Sequence, residues 1–559
     1  MSNEGDQTVF YNTVTDTKDS SNDVLFSDKN YTFITDTTSS NGSFQSGQIQ
    51  FDLSTLSSQS QWVSLSEAVI EFPVKVSANV TTAGAAGGGV TMSSLSTTLK
   101  NGFHHFIDGC QLQINGQGIQ SMQPYENVAA TFRILSEWSQ DELIKYGRTC
   151  GVILDDCTND TIAIPTAGVG LNNAAAATVA TAILGYNAYE STLINNKALP
   201  ARLSLLSNQT AATSLQSVVL GNAASKLAGR HNLATAVVPQ GSTSGFCYTA
   251  CYLATVRLKD ICDIGEFPLC KNLKGFLYLS FNSSQTTITG TGNAPNAAVS
   301  TVAIQPLTGR TNPIMINNLG LSLGTVASTV VVTATVNSDN TGATGSGPLI
   351  SNARMFVPYY VSNPKSDMAL SMPNKFFTTK EKIVVPFVAS AGQPANITLT
   401  SGVSNPTGLL ILPMWQRLGL NVNLDSPENS PYDSVPGTSG PFATLANLQV
   451  YVANKPIYQN PVQYDFEQWY AENSKTGLAD GMIDQQASGL LTQQLFEQNH
   501  KFYYTDLSRR VPSEDGASKS IQVSFTNPST TYGMKCIAIV FYQKKWTINT
   551  MTSQIASAV

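Results

Sequence analysis

Two stretches far apart in this 559-residue chain follow one order of elements, and that order constrains the fold more than any other feature. CQLQINGQGIQSMQPYENVAATF (110–132) and LANLQVYVANKPIYQNPVQYDFEQWY (445–470) each begin as a strand with Leu-Gln near its start. Each then passes through an Asn-containing turn and a short polar stretch holding a proline, and enters a helix opened by an aromatic and an acidic residue. Identity between the two is low, yet the shared succession marks a duplicated unit, and a missed repeat misreads a whole fold.

The flanking sequence says what kind of unit is duplicated. SGQIQFDLS (from Ser46), SLSEAVIEFPVKVS (from Ser64) and CQLQING (from Cys110) alternate or run apolar over strand lengths before any helical pattern begins, and the last ends in an Asn-Gly hairpin signal. The period then switches. Tyr125, Val128, Ala129, Phe132 and Leu135 recur at helical steps, and Ser139 with Glu142 forms a capping box opening a second short helix, expected to stop at Gly147. After a long Ala/Thr-rich region, strands resume at GFCYTACYLATVRL (245–258), 328–336, 353–361, 381–390, 396–402 and 408–415. A Pro/Ser-rich loop (426–441), a strand (445–457), a helix (462–474) and strands at 520–527 and 533–548 complete the pattern. This is an all-β plan of two stacked antiparallel sandwiches, each with a helix at the same topological place.

Composition narrows the class. Only 12% of residues are charged, against about 25% in an average soluble domain. Ser, Thr, Asn and Gln make up roughly a third of the chain, a mixture that solvates strands and loops rather than helices. The shortage is concentrated: 161–250 carries only Glu190, Lys197, Arg202, Lys226 and Arg230, and 283–349 only Arg310 and Asp339. Both lie between strands and read as elaborated insertions that project surface. No run approaches the ~18–20 apolar residues of a membrane span, and the polar, acidic N-terminus has no apolar core of a secretory signal. The first fifty residues hold seven acids and two lysines, so no basic arm exists there to neutralise a genome.

Catalytic and metal-binding groups are scarce. The four histidines are His104, His105, His231 and His500, and a strand reading sends the adjacent pair to opposite faces, away from common chelation. Cys247, Cys251, Cys262 and Cys270 cluster but lack the paired spacing of a zinc knuckle, so they read as buried thiols. GSTSG (241–245) lacks the central serine of a nucleophile elbow, and no zincin or phosphate-loop motif occurs. Asp155-Asp156 and Glu514-Asp515 read as solvated turns, and Arg509-Arg510 and Lys544-Lys545 as charged strand ends or inter-subunit contacts. No residue receives a catalytic, cofactor-binding or metal role, no cofactor is implied, and the chain is not read as an enzyme.

Several stretches resemble one family. LKDICDIGEFPLCKNLKGFLYLSFN (258–282), ARMFVPYYVSNP (353–364), SNPTGLLILPMW (404–415), SPYDSVPGT (430–438) and YYTDLSRRVPSEDGASKSIQVSFTN (503–527) are similar, in order, to segments of the major capsid proteins of Polinton-like viruses, adintoviruses and virophages. The helix pair YENVAATFRILSEWSQDELIKYG resembles the one in their first half. The resemblance implies a double jelly roll, two eight-stranded sandwiches side by side, with three chains forming a pseudo-hexagonal capsomer in the icosahedral shell of a double-stranded DNA virus. It places a first jelly roll at 45–365 and a second at 366–550; the acidic N-terminal arm at 1–44 and the long insertions near 160–250 and 283–349 depart from the family pattern, and a tail is left at 551–559. Implied partners are further copies of the chain, a penton protein and minor or cement proteins; no direct sequence-specific nucleic-acid contact is implied, and no membrane is assigned. The implied location is the virion capsid, assembled inside the host cell. Alternatives are a single jelly-roll small-virus capsid protein with a protruding domain and a cell-surface β-rich adhesin.

Overall fold

In this computed structural model the described residues are 26–37, 47–59, 61–82, 97–155, 238–239, 245–264, 267–292, 298–316, 324–336, 352–363, 375–415, 443–474, 489–498, 500–508, 517–530 and 533–557. The first half contains strands β1 (Phe26–Thr35), β2 (Gln48–Asp52), β3 (Val69–Thr82), β4 (Ile107–Ile114) and β5 (Gln117–Gln120). Helices α1 (Glu126–Glu137) and α2 (Gln140–Cys150) follow, then β6 (Gly245–Arg257), β7 (Gly275–Phe281), β8 (Ser283–Gly292), β9 (Ala298–Thr308), β10 (Gly324–Val336) and β11 (Arg354–Ser362). One sheet runs β1-β11-β3-β6, the other β2-β7-β4-β5. With β8–β10 set aside as an excursion, the strands in each sheet are first-eighth-third-sixth and second-seventh-fourth-fifth, the jelly-roll order.

Among the described residues the second half repeats this without an inserted strand. It contains β12 (Lys375–Ala389), β13 (Pro394–Val403), β14 (Pro406–Trp415), β15 (Ala446–Val452), β16 (Lys455–Pro456), α3 (Phe466–Ser474), α4 (Gln493–Gln498), β17 (Tyr503–Asp506), β18 (Lys519–Thr526), β19 (Met534–Ile548) and β20 (Ile555–Ser557). Its sheets run β12-β19-β14-β17 and β13-β18-β15-β16. The fold is therefore all-β, two jelly rolls in tandem. The repeat seen in the sequence is the fourth strand, fifth strand and following helix of each roll. Both hairpins turn through two left-handed residues, Asn115-Gly116 and Ala453-Asn454, as a tight two-residue connection demands.

Several expectations are corrected. Phe26–Thr35, assigned from its acidity to an arm, is the first strand of the first roll and pairs with β11 along its length. Ile34 is its inward anchor. Ile555–Ser557, placed in a tail, pairs with Trp546–Ile548. The capping box on α2 is present, with Ser139 Oγ accepting from Glu142 N at 3.2 Å and Glu142 Oε2 from Ser139 N at 3.1 Å. Gly147 does not end this helix. The stop is Gly151, which adopts the left-handed conformation (φ 71°) that an L-residue avoids. The second-roll helix starts at Phe466 rather than 462, because Asp465 Oδ1 accepts from Gln468 N at 3.0 Å and sets the cap.

The low-charge stretch 283–349 contributes β8, β9 and β10, which extend the first roll's own sheet. Strand β3 is long enough to take two partners on one edge: Val69–Glu71 pairs with β11, and Val74–Thr82 with β10. The other low-charge stretch lies outside the described residues up to 237, apart from which only Val238–Pro239 and the start of β6 are described.

Candidate assembly surface

The two rolls share their cores. Helix α1 belongs to the first roll by sequence, but its apolar stripe of Val128, Ala129, Phe132 and Leu135 is buried in the second roll's cluster. Phe132 meets Phe502 edge-on at 5.3 Å and stacks with Tyr504 at 5.6 Å and Phe541 at 6.4 Å. Leu490 N donates to Leu135 O at 2.9 Å, and the buried Glu126 carboxylate pairs with the buried Lys382 ammonium of β12. In return, Phe377, Trp546, Ile548 and Ile555 of the second roll join the first roll's cluster, with Phe377 edge-on to Phe267 at 5.2 Å. Lys271 N donates to Thr550 O at 2.7 Å, and Asn272 Nδ2 to Met551 O at 2.8 Å. Each roll completes the other.

This seam buries both faces of the second roll's β12-β19-β14-β17 sheet over its central strands. Directly paired residues share a face, and Val384, Ile539, Leu410 and Tyr504 form one such row across β12, β19, β14 and β17. Ile539 and Leu410 are fully buried under α1 and Tyr504 nearly so.

The matching sheet of the first roll differs. Its inward row, Ile34-Met355-Ile70-Val256, is buried. Its outward row is Phe33-Phe356-Val69-Arg257, and here Phe33 is 54% exposed and Tyr31, two residues along, 62%. The rings of Phe33 and Phe356 lie 6.2 Å apart, and the Arg354 guanidinium sits 5.2 Å from the Phe33 centroid. At one end Lys29, Glu67 and Tyr360 form a cluster, with Tyr360 Oη donating to Glu67 Oε1 at 2.5 Å. Burial alone would raise the Glu67 pKa; the hydrogen bonds from Lys29 and Tyr360 outweigh it and hold the carboxyl below its usual range. At the other end Arg257 lies between the rings of Trp138 (4.3 Å) and Tyr146 (5.1 Å) and pairs with Asp260 and Glu142. There α2 exposes Ile144 (77%) and Tyr146 (45%), extending the apolar surface. Strand β12, the corresponding edge of the second roll, exposes Phe376 (69%) and Val388 (57%). Isolated exposed apolar residues are ordinary, whereas a continuous group on an edge strand and its neighbour marks an interaction surface.

The chemistry-bearing residues weighed in the sequence lie elsewhere. His104 and His105 are in a buried 3₁₀ turn (Phe103–Phe106), not a strand, so their rings lie side by side at 4.6 Å. His104 Nε2 is 2.7 Å from Thr131 Oγ1, and burial lowers its pKa to about 3, leaving a neutral ring. Cys262 and Cys270 are buried thiols, the latter pushed up to about 12 by burial. Cys247 and Cys251 lie in β6, and their side chains are outside the described residues. Asp155 is fully buried rather than solvated, while Asp156, Arg509, Arg510, Glu514 and Asp515 are outside the described residues. Lys544 is inside β19, not at its end, and bridges to Glu381 of β12 at 2.9 Å. Among the described residues no group of three or more His, Cys, Asp or Glu is placed to hold a metal ion. No helix among them is long and apolar enough to cross a membrane.

No protein-family model and no curated protein matches the chain. Solved structures do. The mavirus major capsid protein is similar at 13% identity and TM-score 0.46, over 98% of this chain and 93% of that one. A chain of the Sputnik virophage cryo-EM structure is similar at 11% identity and TM-score 0.49, over 96% and 89%. The Faustovirus major capsid protein is similar at 10% identity and TM-score 0.42, over 95% and 92%.

Proposed function

We propose that this chain is a major capsid protein of the virophage and Polinton-like group, located in the virion, whose homotrimers tile the icosahedral shell of a double-stranded DNA virus as pseudo-hexagonal capsomers. The observation that carries the reading is two complete jelly rolls of identical strand order, locked by exchanged core elements, with one outward face still apolar and open. Such a body supplies two similar edges per chain, so three chains offer six. A low-charge composition suits extended lateral contacts, because obligate interfaces are depleted in charge and resemble a divided core. Closing the shell would call on a penton protein at the vertices and on minor or cement proteins between capsomers. Two complete rolls do not fit a single jelly roll with a protruding domain.

The test is oligomeric state. Purified chain should elute on light-scattering chromatography as a trimer of about 180 kDa, three times 59.6 kDa, and give hexagonal outlines in negative stain. A monomer over a wide concentration range would overturn the proposal.

A further inference from the structure

We propose that the turn between β19 and β20, residues 549–554, is a strap that closes one end of the first roll, so that this roll is sealed only after the second roll's β12-β19 pair has formed. The device is intramolecular and stands whether or not copies of the chain assemble.

The strap is a shaped object. Asn549 Oδ1 accepts from Met551 N at 3.1 Å and Thr552 N at 3.2 Å, and Ser553 N donates to Asn549 O at 2.7 Å, so the turn holds its own form. Its carbonyls point at the first roll and are met by two asparagines on separate loops. Asn272 Nδ2 donates to Met551 O at 2.8 Å, and Asn115 Nδ2 donates to Thr552 O at 3.4 Å and, more closely, to Ser553 O. Both asparagines are left-handed, Asn115 at φ 47° and Asn272 at φ 55°, a conformation that Asn accepts more readily than most residues. Asn115 and Ser553 are 438 positions apart in sequence.

The strap also covers something. Thr550 and Ser553 are fully buried; Ser553 Oγ donates to Lys271 O at 2.5 Å, and the same side chain is hydrogen-bonded to the buried thiol of Cys270. Ile548 and Ile555, on either side of the strap, belong to the first roll's core. They reach it only because β19 pairs with β12 along its whole length. Contacts this distant in sequence close late, since the long loop must be ordered before they reward it. The first roll's end is therefore held by a part of the second, and Cys270 is the group that opening would uncover.

The test is thiol labelling of the full-length chain with a maleimide, read peptide by peptide. Asn272→Asp and Asn115→Asp keep the side-chain shape and the left-handed backbone but replace each donor by an acceptor facing a carbonyl. Each should speed labelling of Cys270 by about tenfold, the change in a local opening equilibrium that one lost hydrogen bond brings, with Cys110 and Cys536 as protected as before. Asn454→Asp, at the exposed hairpin of the second roll, should leave Cys270 unchanged. Unaltered Cys270 labelling in both variants, or all three thiols rising together, overturns the strap. In the unsubstituted chain, pulse labelling during refolding should find Cys536 of β19 protected before Cys270. Cys270 protected first, or at the same time, overturns the order of closure.

Discussion

The two rolls have the same strand order and different burial. In the second, β19 is sandwiched: Ile537, Ile539 and Phe541 are buried on the face where Phe541 stacks with Phe132 of helix α1, while Cys536, Ala538 and Val540 face its own core. In the first, the corresponding β11 buries Met355 and Val357 inward but leaves Phe356 beside exposed Phe33 on the outside. Topology thus does not decide how many faces of a sheet are covered; the neighbour supplied by the chain decides it. Among the described residues the chain furnishes such a cover for its second roll only.

The largest expected effect tests whether the rolls stand or fall together. Phe132→Ala removes a ring that belongs to the first roll by sequence and to the second by packing, and should cost about 3–5 kcal/mol. Calorimetry and pulse proteolysis should show cleavage sites in both rolls becoming accessible together. A second roll melting at the wild-type midpoint would break the picture of one cooperative body.

A smaller effect separates the two hairpins. Asn115-Gly116 has a residue suited to positive φ at each position, whereas Ala453 carries a φ of 49° with a Cβ. Gly116→Ala should cost about 1 kcal/mol, and Ala453→Gly should gain up to about that amount. The readout is the denaturant midpoint at unchanged slope. Equal and opposite signs would show that the duplicated turns differ in backbone strain rather than in packing.

A further effect is a pH dependence at the seam. Glu137, at the end of α1, is raised from 4.5 to about 7 by burial, with Arg133 opposing and Asp263 reinforcing; Lys380 of the second roll also faces it and lowers it. The folded state holds a proton that the unfolded chain releases near pH 4.5, so this contribution is full below that pH and lost as pH rises through about 7. Glu137→Gln should therefore melt above wild type at pH 8 and close to it at pH 5. A gap independent of pH would remove Glu137 from the seam's electrostatics.

Much of this architecture was legible in the sequence, and for definite reasons. The hairpins were visible because Asn-containing turns punctuate alternating strands, and the duplication because each hairpin leads to a helix opened by an aromatic and an acid. Strand β1 was hidden by its own polar start: Ser27, Asp28, Lys29 and Asn30 gave it the composition of an acidic arm, although Ile34 keeps the inward period. The seam was hidden because an amphipathic period tells that α1 buries a stripe, not whose core receives it. The histidine pair was misplaced for a similar reason, since a four-residue 3₁₀ turn flanked by strands leaves no period of its own. The open face was the least legible part, because Tyr31, Phe33 and Phe356 become one surface only through the register of two strands more than three hundred residues apart.

Strand β3 changes partner partway along its edge, from β11 to β10, without leaving the sheet. An excursion attached in this way has no hinge at its root. Load applied to its far end passes along a continuous ladder of hydrogen bonds into the roll beneath, as through a beam built into a wall. The ladder keeps the height and bearing of the excursion fixed relative to the body that carries it.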